Sequence, residues 1–568
     1  MMNRLKSVIF LCCVSLLTGI LPVGLLLQAA AGDSIPDSML LGDVNGDRSF
    51  DVRDLVHYKK YCAAPESISD FIGEAADCDG DGEISVKDVI SVRKLLLSDE
   101  AVRLWRTSFF DDDGNLLQTS YVRQNTSPVL KAVPQKSRDP QYTYCFGGWS
   151  DGEEIYQTNA LPAVSGAVSY RAVYEKNYNV YQAKVSGAAA GYPRLLQLSN
   201  GNYFLTADTK YAVSSDGINF GSYTSFLTDE LKYDPVTGKA DLACANAQPM
   251  LLGDGRVAVF FRASNADIGY SSIRMIVGNK YGKNFGNPVT LMENYDSALS
   301  GGGIWEPYGI ILKDGTLAVY VSCDIRGTEA YGSIPAHENL VCPRNETTKT
   351  TRQNILLITL AEEKGSFVPS KPCIVSDGVA HDSRDGMSVI AQLADGSYVM
   401  VIEATSERDQ YAFVIQMLYS QDGYTWTEPQ TIIRPQKTGN NCAAPYITAL
   451  PDGRIAVSCC TTEGYRGYRP GSGSGYKVQR VFISKDPVSY GSPDIEFEEL
   501  IYREYPENEY SIFGGVSYIN GRLYMFSGSG INDENGKSTS KEALLYYILY
   551  QYPVAGEDYG TWTDDIIL

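Results

Sequence analysis

Histidine is almost absent: His57, His337 and His381 are the only three in a chain of 568 residues. That leaves little material for a histidine triad or a zinc cage, and the cysteine spacings carry no zinc signature. Carboxylate chemistry is the better expectation. Positive charge is also short, with 48 Lys and Arg against 68 Asp and Glu. A net charge of −20 disfavours a nucleic-acid or anionic-lipid surface, because like charges repel. Phe and Trp are few, 18 and 5, beside 40 Tyr and 53 Gly. That balance suits turn-rich β structure whose strands carry amphipathic rings. After residue 31 no segment is long and apolar enough to cross a bilayer. Ahead of it, Arg4 and Lys6 precede an apolar run from Val8 to Leu27 and then Ala29-Ala30-Ala31. This is the layout of a secretory signal peptide over residues 1–31, cut near Gly32. A secreted, extracellular protein with no membrane attachment after cleavage is expected. Export permits disulfides among the ten cysteines that remain, but their pairing cannot be read from spacing.

The chain is about four times the length of a typical ~150-residue domain, so several folding units are expected. The first is marked by two acidic loops. Asp43, Asn45, Asp47, Ser49, Asp51 and Asp54 fall at positions 1, 3, 5, 7, 9 and 12 of a twelve-residue loop. Asp77, Asp79, Asp81, Glu83, Ser85 and Asp88 repeat the pattern 34 residues later. Oxygen ligands on alternate residues wrap one hard cation, whose charge offsets their mutual repulsion. A short helix is predicted after each loop, over Leu55–Tyr61 and Val89–Leu97. The duplicated segment, residues 39–98, resembles a type I dockerin. The resemblance implies two calcium ions, a cohesin module of a scaffoldin as partner, and a place in a bacterial cellulosome, free or at the cell surface.

Residues 101–178 follow with short strands separated by Asp-Gly turns, among them F-G-G-W-S-D-G over Phe146–Gly152 and Y-R-A-V-Y over Tyr170–Tyr174. Their order resembles the internalin B-type repeat, a small β-grasp-like spacer.

Over residues 185–568 one hairpin recurs six times, with Asn-Gly or Asp-Gly between two β runs. The turns begin at Asn200, Asp254, Asp314, Asp395, Asp452 and Asn520 and are read as two-residue hairpin turns. Two further strands fit between successive hairpins. Four strands repeated six times make a mainly β fold, a six-bladed β-propeller. Two insertions between third and fourth strands, Ser214–Phe220 and Ser420–Trp426, resemble the Asp-box turns of sialidase-type propellers. Asp216 and Asp422 are therefore structural.

Residues equally far from a hairpin turn lie side by side. Eight residues before the turns stand Tyr192, Asn246, Glu306, Met387, Ala444 and Ile512; eight after stand Asp208, Arg262, Ser322, Glu403, Cys460 and Gly528. Glu306 and Glu403 thus share the turn-remote end of neighbouring blades, where a pair of carboxylates serves glycoside hydrolysis. Arg194, Arg262, Asp208, Arg384, Asp385, Tyr308 and Tyr446 belong to the same rim and are candidates for substrate binding.

The runs around Gly191–Gly201, Trp305–Ser322, Arg384–Glu403 and Ala444–Ser458 are similar to family 93 glycoside hydrolases. That resemblance implies an exo-α-1,5-L-arabinanase of sialidase-like fold releasing arabinobiose, with Glu306 as acid/base and Glu403 as nucleophile, and with no cofactor in catalysis. Ser388 departs from the Pro more usual in that family after R-D-G-M. The alternatives are a sialidase and a propeller that only binds carbohydrate; a sialidase would need an arginine triad for the sugar carboxylate.

Overall fold

The structure, a computed structural model, describes residues 35–552 apart from 99, 188–190, 298–301, 348–350, 465–477, 507–508 and 533–537. The leader expected over residues 1–31 lies outside the described residues. No helix among the described residues is long and apolar enough to cross a membrane. The chain is mainly β and divides into two compact units: residues up to 137 with 144–176, and 138–143 with 177 onward.

In the first unit the two acidic loops lead into helices Val52–Ala63 and Val86–Ser98. Both start three residues earlier than the apolar pattern suggests. The reason is capping: the Asp51 carboxylate accepts the Arg53 N–H at 2.7 Å and Asp54 Oδ2 accepts the Asp51 N–H at 2.9 Å, a reciprocal box that satisfies the first turn. Ser85 and Asp88 repeat it, at 3.1 Å to Lys87 N–H and 2.7 Å to Ser85 N–H. A mixed sheet accompanies the helices. Its central strand, Arg103–Phe110, pairs on one side with Leu116–Arg123 and on the other with Ser38–Leu40 and then, in parallel, with Val168–Tyr178. The helices and this sheet share apolar contacts: Tyr58, Val89 and Val92 pack in one cluster with Leu104, Val102 and Tyr121.

The second unit contains six successive antiparallel sheets of four strands, the third with one strand more. Their first strands are Arg194–Gln197, Ala243–Leu251, Ile304–Ile311, Gly386–Gln392, Cys442–Ala449 and Glu509–Ile519. Each first strand contacts the next, and the sixth contacts the first, so they form a closed circuit. The sixth sheet takes its outermost strand from Val180–Gln182, just ahead of residue 185, which joins the beginning of the unit to its end.

The turns correct the sequence reading. Only Asn520-Gly521 is a two-residue turn, between paired Ile519 and Arg522 with both turn residues at positive φ. The other five are five-residue loops, each closed by the N–H of a leucine (Leu198, Leu252, Leu312, Leu393, Leu450) on the carbonyl four residues later at 2.7–2.9 Å. Those leucines are buried. Burial of an apolar anchor at the loop entrance outweighs the tighter turn that the Asp-Gly pair alone suggests. The Asp carboxylates cap the loops from within, as when Asp254 Oδ1 accepts the Arg256 N–H at 3.0 Å.

The Asp-box segments close turns between third and fourth strands. Asp216 Oδ1 accepts the N–H groups of Ile218 and Asn219, each at 2.8 Å, and Asp422 Oδ1 those of Tyr424 and Thr425 at 2.8 and 2.9 Å. Both carboxylates are held below the usual range by these bonds, against the opposing effect of burial.

Candidate functional site

Five of the six first strands break their ladders near the turn-remote end. Ladder pairing skips two residues in sheets two to six, at Ala245/Gln248, Trp305/Tyr308, Gly386/Val389, Ala443/Tyr446 and Ile512/Gly515. The first of each skipped pair, Asn246, Glu306, Met387, Ala444 and Phe513, adopts left-handed backbone, as does Tyr192 in the first repeat. The sixth member is therefore Phe513 and not Ile512: the two-residue turn changes the count from the turn by one. A bulge of this kind bends the strand and re-aims a side chain. Tyr192, Met387, Ala444 and Phe513 are turned into one cluster with Cys460, and Glu306 takes the same position in the third repeat.

Glu306 is 9% exposed, and its Oε2 has no hydrogen-bond partner among the described residues. Burial pushes its carboxyl up to about 7; the charges of Arg384 and Arg262 and the Ser322 hydroxyl oppose the rise, and the charge of Glu403 adds to it. Ser322 also accepts the Met387 N–H at 2.9 Å, linking the third bulge to the fourth.

Glu403 is fully buried on the second strand of sheet four. Its Oε1 is ion-paired to Arg384 Nη1 and its Oε2 accepts the Ala444 N–H at 2.8 Å. Gly386 allows the approach: a Cβ there would stand 3.4 Å from Glu403 Oε1, 3.2 Å from Arg384 Nη1 and 2.6 Å from Gln353 Oε1. Gln353 is fully buried, and sequence reasoning missed it because it lies outside the hairpins.

The other candidates divide into groups. Arg262 lies 3.5 Å over the Trp305 ring, and burial lowers its proton affinity against the charges of Glu306 and Asp324. Asp324 holds the indole in place, accepting Trp305 Nε1–H at 2.6 Å and the Gly303 N–H at 2.7 Å. Asp324 was unmarked in the sequence; one residue past the end of its strand, it lies just beyond the hairpin pattern. Arg194 is 1% exposed, donates to the Phe513 carbonyl at 2.8 Å, and stacks between Tyr192 and Tyr446 at 3.7 and 4.8 Å. Tyr308 donates to the Ile390 carbonyl at 2.9 Å, and Tyr446 accepts from Gln248 Nε2 at 3.2 Å. Asp208 also has left-handed backbone, and a Cβ at Gly191 would collide with its carboxylate. Asp385 is turned to Ser376, whose hydroxyl donates to it at 2.8 Å. The structure thus unites Glu306, Glu403, Arg384 and Arg262, and uses Arg194, Tyr308, Tyr446 and Asp385 to hold strands together.

In the first unit the loops are pre-wound for a cation. Carboxylate oxygens of Asp77, Asp79 and Asp81 lie within 4.8 Å of one another. In the first loop, Asp43 Oδ1 is buried with no hydrogen-bond partner among the described residues, and burial and Asp54 raise its pKa. An orphaned, desolvated carboxylate oxygen of this sort fits a divalent ion. Asp54 and Asp88 accept N–H bonds on both oxygens from loop and helix start. Apolar side chains are exposed on the helices in pairs 34 residues apart, Val52 with Val86 and Val56 with Ile90.

Residues 41–97 match the Dockerin type I domain. No curated protein matches the chain. Among solved structures, the chain is similar to the GH93 α-L-arabinofuranosidase of Fusarium graminearum in complex with arabinobiose. The identity is 15%, covering 64% of this chain and 97% of that one, at a TM-score of 0.42. A Penicillium chrysogenum α-L-arabinanase complexed with arabinobiose is 16% identical over 66% and 98% of the two chains, TM-score 0.42. The NanB sialidase of Streptococcus pneumoniae is 11% identical over 68% and 75%, TM-score 0.41.

Proposed function

We propose that the chain is a secreted, cellulosomal glycoside hydrolase of plant cell-wall polysaccharide, with its catalytic centre in a six-bladed propeller. The observation that carries the reading is the unequal pair at the turn-remote end: a buried Glu306 whose carboxyl is pushed up to about 7 beside a Glu403 paired with Arg384. Glycoside hydrolysis needs such a division, one carboxyl giving a proton to the departing oxygen and one carboxylate facing the anomeric carbon. Glu306 then holds the proton and Glu403 the charge. Arg384 orients Glu403; Arg262, stacked on Trp305, limits the rise at Glu306. Two carboxylates in a chain of net charge −20 favour a neutral sugar whose transition state is cationic.

The substrate that fits best is α-1,5-linked arabinan, cut from the chain end to arabinobiose. A sialidase needs arginines free for a carboxylate, and here Arg384 holds Glu403, Arg262 lies on Trp305, and Arg194 is buried. Asp208 lines the same rim in this reading. Calcium, one ion per loop, would be held by Asp43, Asn45, Asp47, Ser49, Asp51 and Asp54 and by Asp77, Asp79, Asp81, Glu83, Ser85 and Asp88. It would supply the charge that lets these oxygens face inward. The exposed pairs Val52/Val86 and Val56/Ile90 suit the face for a cohesin. Incubation with linear α-1,5-arabinan should release the disaccharide; release of sialic acid from a conjugate, with arabinan untouched, would overturn the proposal.

A further inference from the structure

We infer that a cavity of about 180 Å³, lined by the fifth sheet and the segment leading from it to the sixth, is a remote carbohydrate subsite, taking one sugar residue of a neutral polysaccharide whose end lies at Glu306 and Glu403. The inference rests on the glycosidase reading for its substrate, and on separate residues for its site.

The cavity opens at the same end as the glutamates. Gln479, on its wall, pairs with Cys460, a member of the bulge cluster. The Gln479 side chain fills the space that a Cβ on Gly514 would need, directly behind the sixth bulge. The site therefore lies two strands outward from the closed circuit, on the third and fourth strands of the fifth sheet, where a chain leaving the carboxylate pair would pass.

Its polar groups are arranged for hydroxyls. The Arg503 side chain is only 6% exposed. One nitrogen pairs with Glu509, while Nε and Nη1 have no hydrogen-bond partner among the described residues. Two buried donors left unmet are costly, and a ligand that brings acceptors relieves the cost. The guanidinium is held 4.4 Å from the Tyr505 ring and 5.3 Å from that of Tyr546, so it is fixed before any ligand arrives. The Tyr502 and Tyr505 hydroxyls lie 3.3 Å apart, and Tyr502 donates to Gln479 Oε1 at 2.9 Å. Across the cavity Arg480 is held by Glu463 and Glu499 at 3.6 and 3.3 Å. Donors and acceptors thus alternate at close range. Vicinal hydroxyls, each both donor and acceptor, match such a wall. Three glutamates against two arginines on the lining oppose an anionic ligand, and the volume suits one sugar residue.

The test compares wild type, Arg503→Met and Ile501→Trp. Ile501 is on the rim and 63% exposed, so a tryptophan there blocks the cavity while leaving the Arg503–Glu509 pair intact. Both variants should lose about tenfold in kcat/KM on polymeric linear arabinan and nothing on a short aryl arabinobioside. Native gels containing arabinan should retard Glu306→Gln, and adding Ile501→Trp should weaken that retardation. Equal losses on polymer and short substrate, no loss on either, or retardation by homogalacturonan in place of arabinan would overturn the inference. A wild type that leaves arabinan uncut while Ile501→Trp still weakens retardation by it would remove the catalytic reading and keep the subsite.

Discussion

Ala444 donates its backbone N–H to Glu403 Oε2 at 2.8 Å, although the two residues belong to the fifth and fourth sheets. The left-handed backbone of Ala444 makes this possible, since it turns the N–H out of its own hairpin ladder. With Arg384 on the other oxygen, Glu403 has both oxygens engaged, whereas Glu306 keeps one without a partner among the described residues. The two carboxyls should therefore respond differently to the same substitution.

Glu403→Gln removes the countercharge of Arg384 inside a buried pair, at a cost of about 3–5 kcal/mol. Glu306→Gln replaces a group that is protonated below about pH 7 and should leave the thermal midpoint at pH 6 almost unchanged. Both should lower kcat by about a hundredfold or more. Calorimetry and initial rates on one pair of preparations decide it; full activity in either variant would reject that residue's role.

The pH dependence of stability follows from the raised carboxyl. Because the folded protein binds the Glu306 proton more tightly than the unfolded chain, the stabilisation is complete below the ordinary value near 4.5. It is lost as pH rises through about 7. The difference amounts to about 3 kcal/mol at 1.36 kcal/mol per unit. Wild type should lose that much more stability between pH 4.5 and 8 than Glu306→Gln; parallel profiles would show an ordinary carboxyl.

Arg262→Met takes away a positive charge that lowers the proton affinity of Glu306. The alkaline limb of kcat/KM should move upward by a fraction of a unit to about one unit. Azide should rescue Glu403→Ala with a glycosyl azide as product, because a small nucleophile fits where the carboxylate stood. The azide product should be inverted at the anomeric carbon; an inverted product from Glu306→Ala, with a retained one from Glu403→Ala, would reverse the two roles.

Leu104 belongs to the sheet and yet packs with Tyr58, Val89 and Val92 of the helices. Leu104→Ala should cost about 2–5 kcal/mol and weaken calcium-induced ordering of the loops. A fragment of residues 39–98 alone should melt lower than one of residues 35–176. Equal midpoints in saturating calcium, followed by circular dichroism, would show that the sheet contributes nothing. In either fragment chelation should abolish cohesin capture, and in the full chain it should leave hydrolysis intact.

Much was legible from local pattern. Ligand-type residues at alternate positions, repeated after 34 residues, marked the two loops, because a wrapped cation needs that spacing. Six recurrences of an Asp-Gly or Asn-Gly pair between two β runs marked six hairpins. Glu306 and Glu403 emerged from simple counting, since antiparallel pairing puts residues equally far from a turn beside each other. The same counting failed at Ile512, where a shorter turn moved the bulge to Phe513.

What the sequence by itself determined is what periodicity within some twenty residues sets: the two acidic loops, the strand alternation and the place of each hairpin, though neither the length of five of the turns nor the bulge of the sixth sheet. Tertiary structure alone decided which charges face one another. Arg384 on Glu403, Ala444 reaching Glu403 from the next sheet, Arg262 over Trp305 and Gln353 against Gly386 depend on how separate sheets approach. So does the closure of the sixth sheet by Val180–Gln182. No local rule encodes those distances, because they arise when apolar faces far apart in the chain pack together, and the protonation of Glu306 follows from the burial and neighbouring charges that this packing brings.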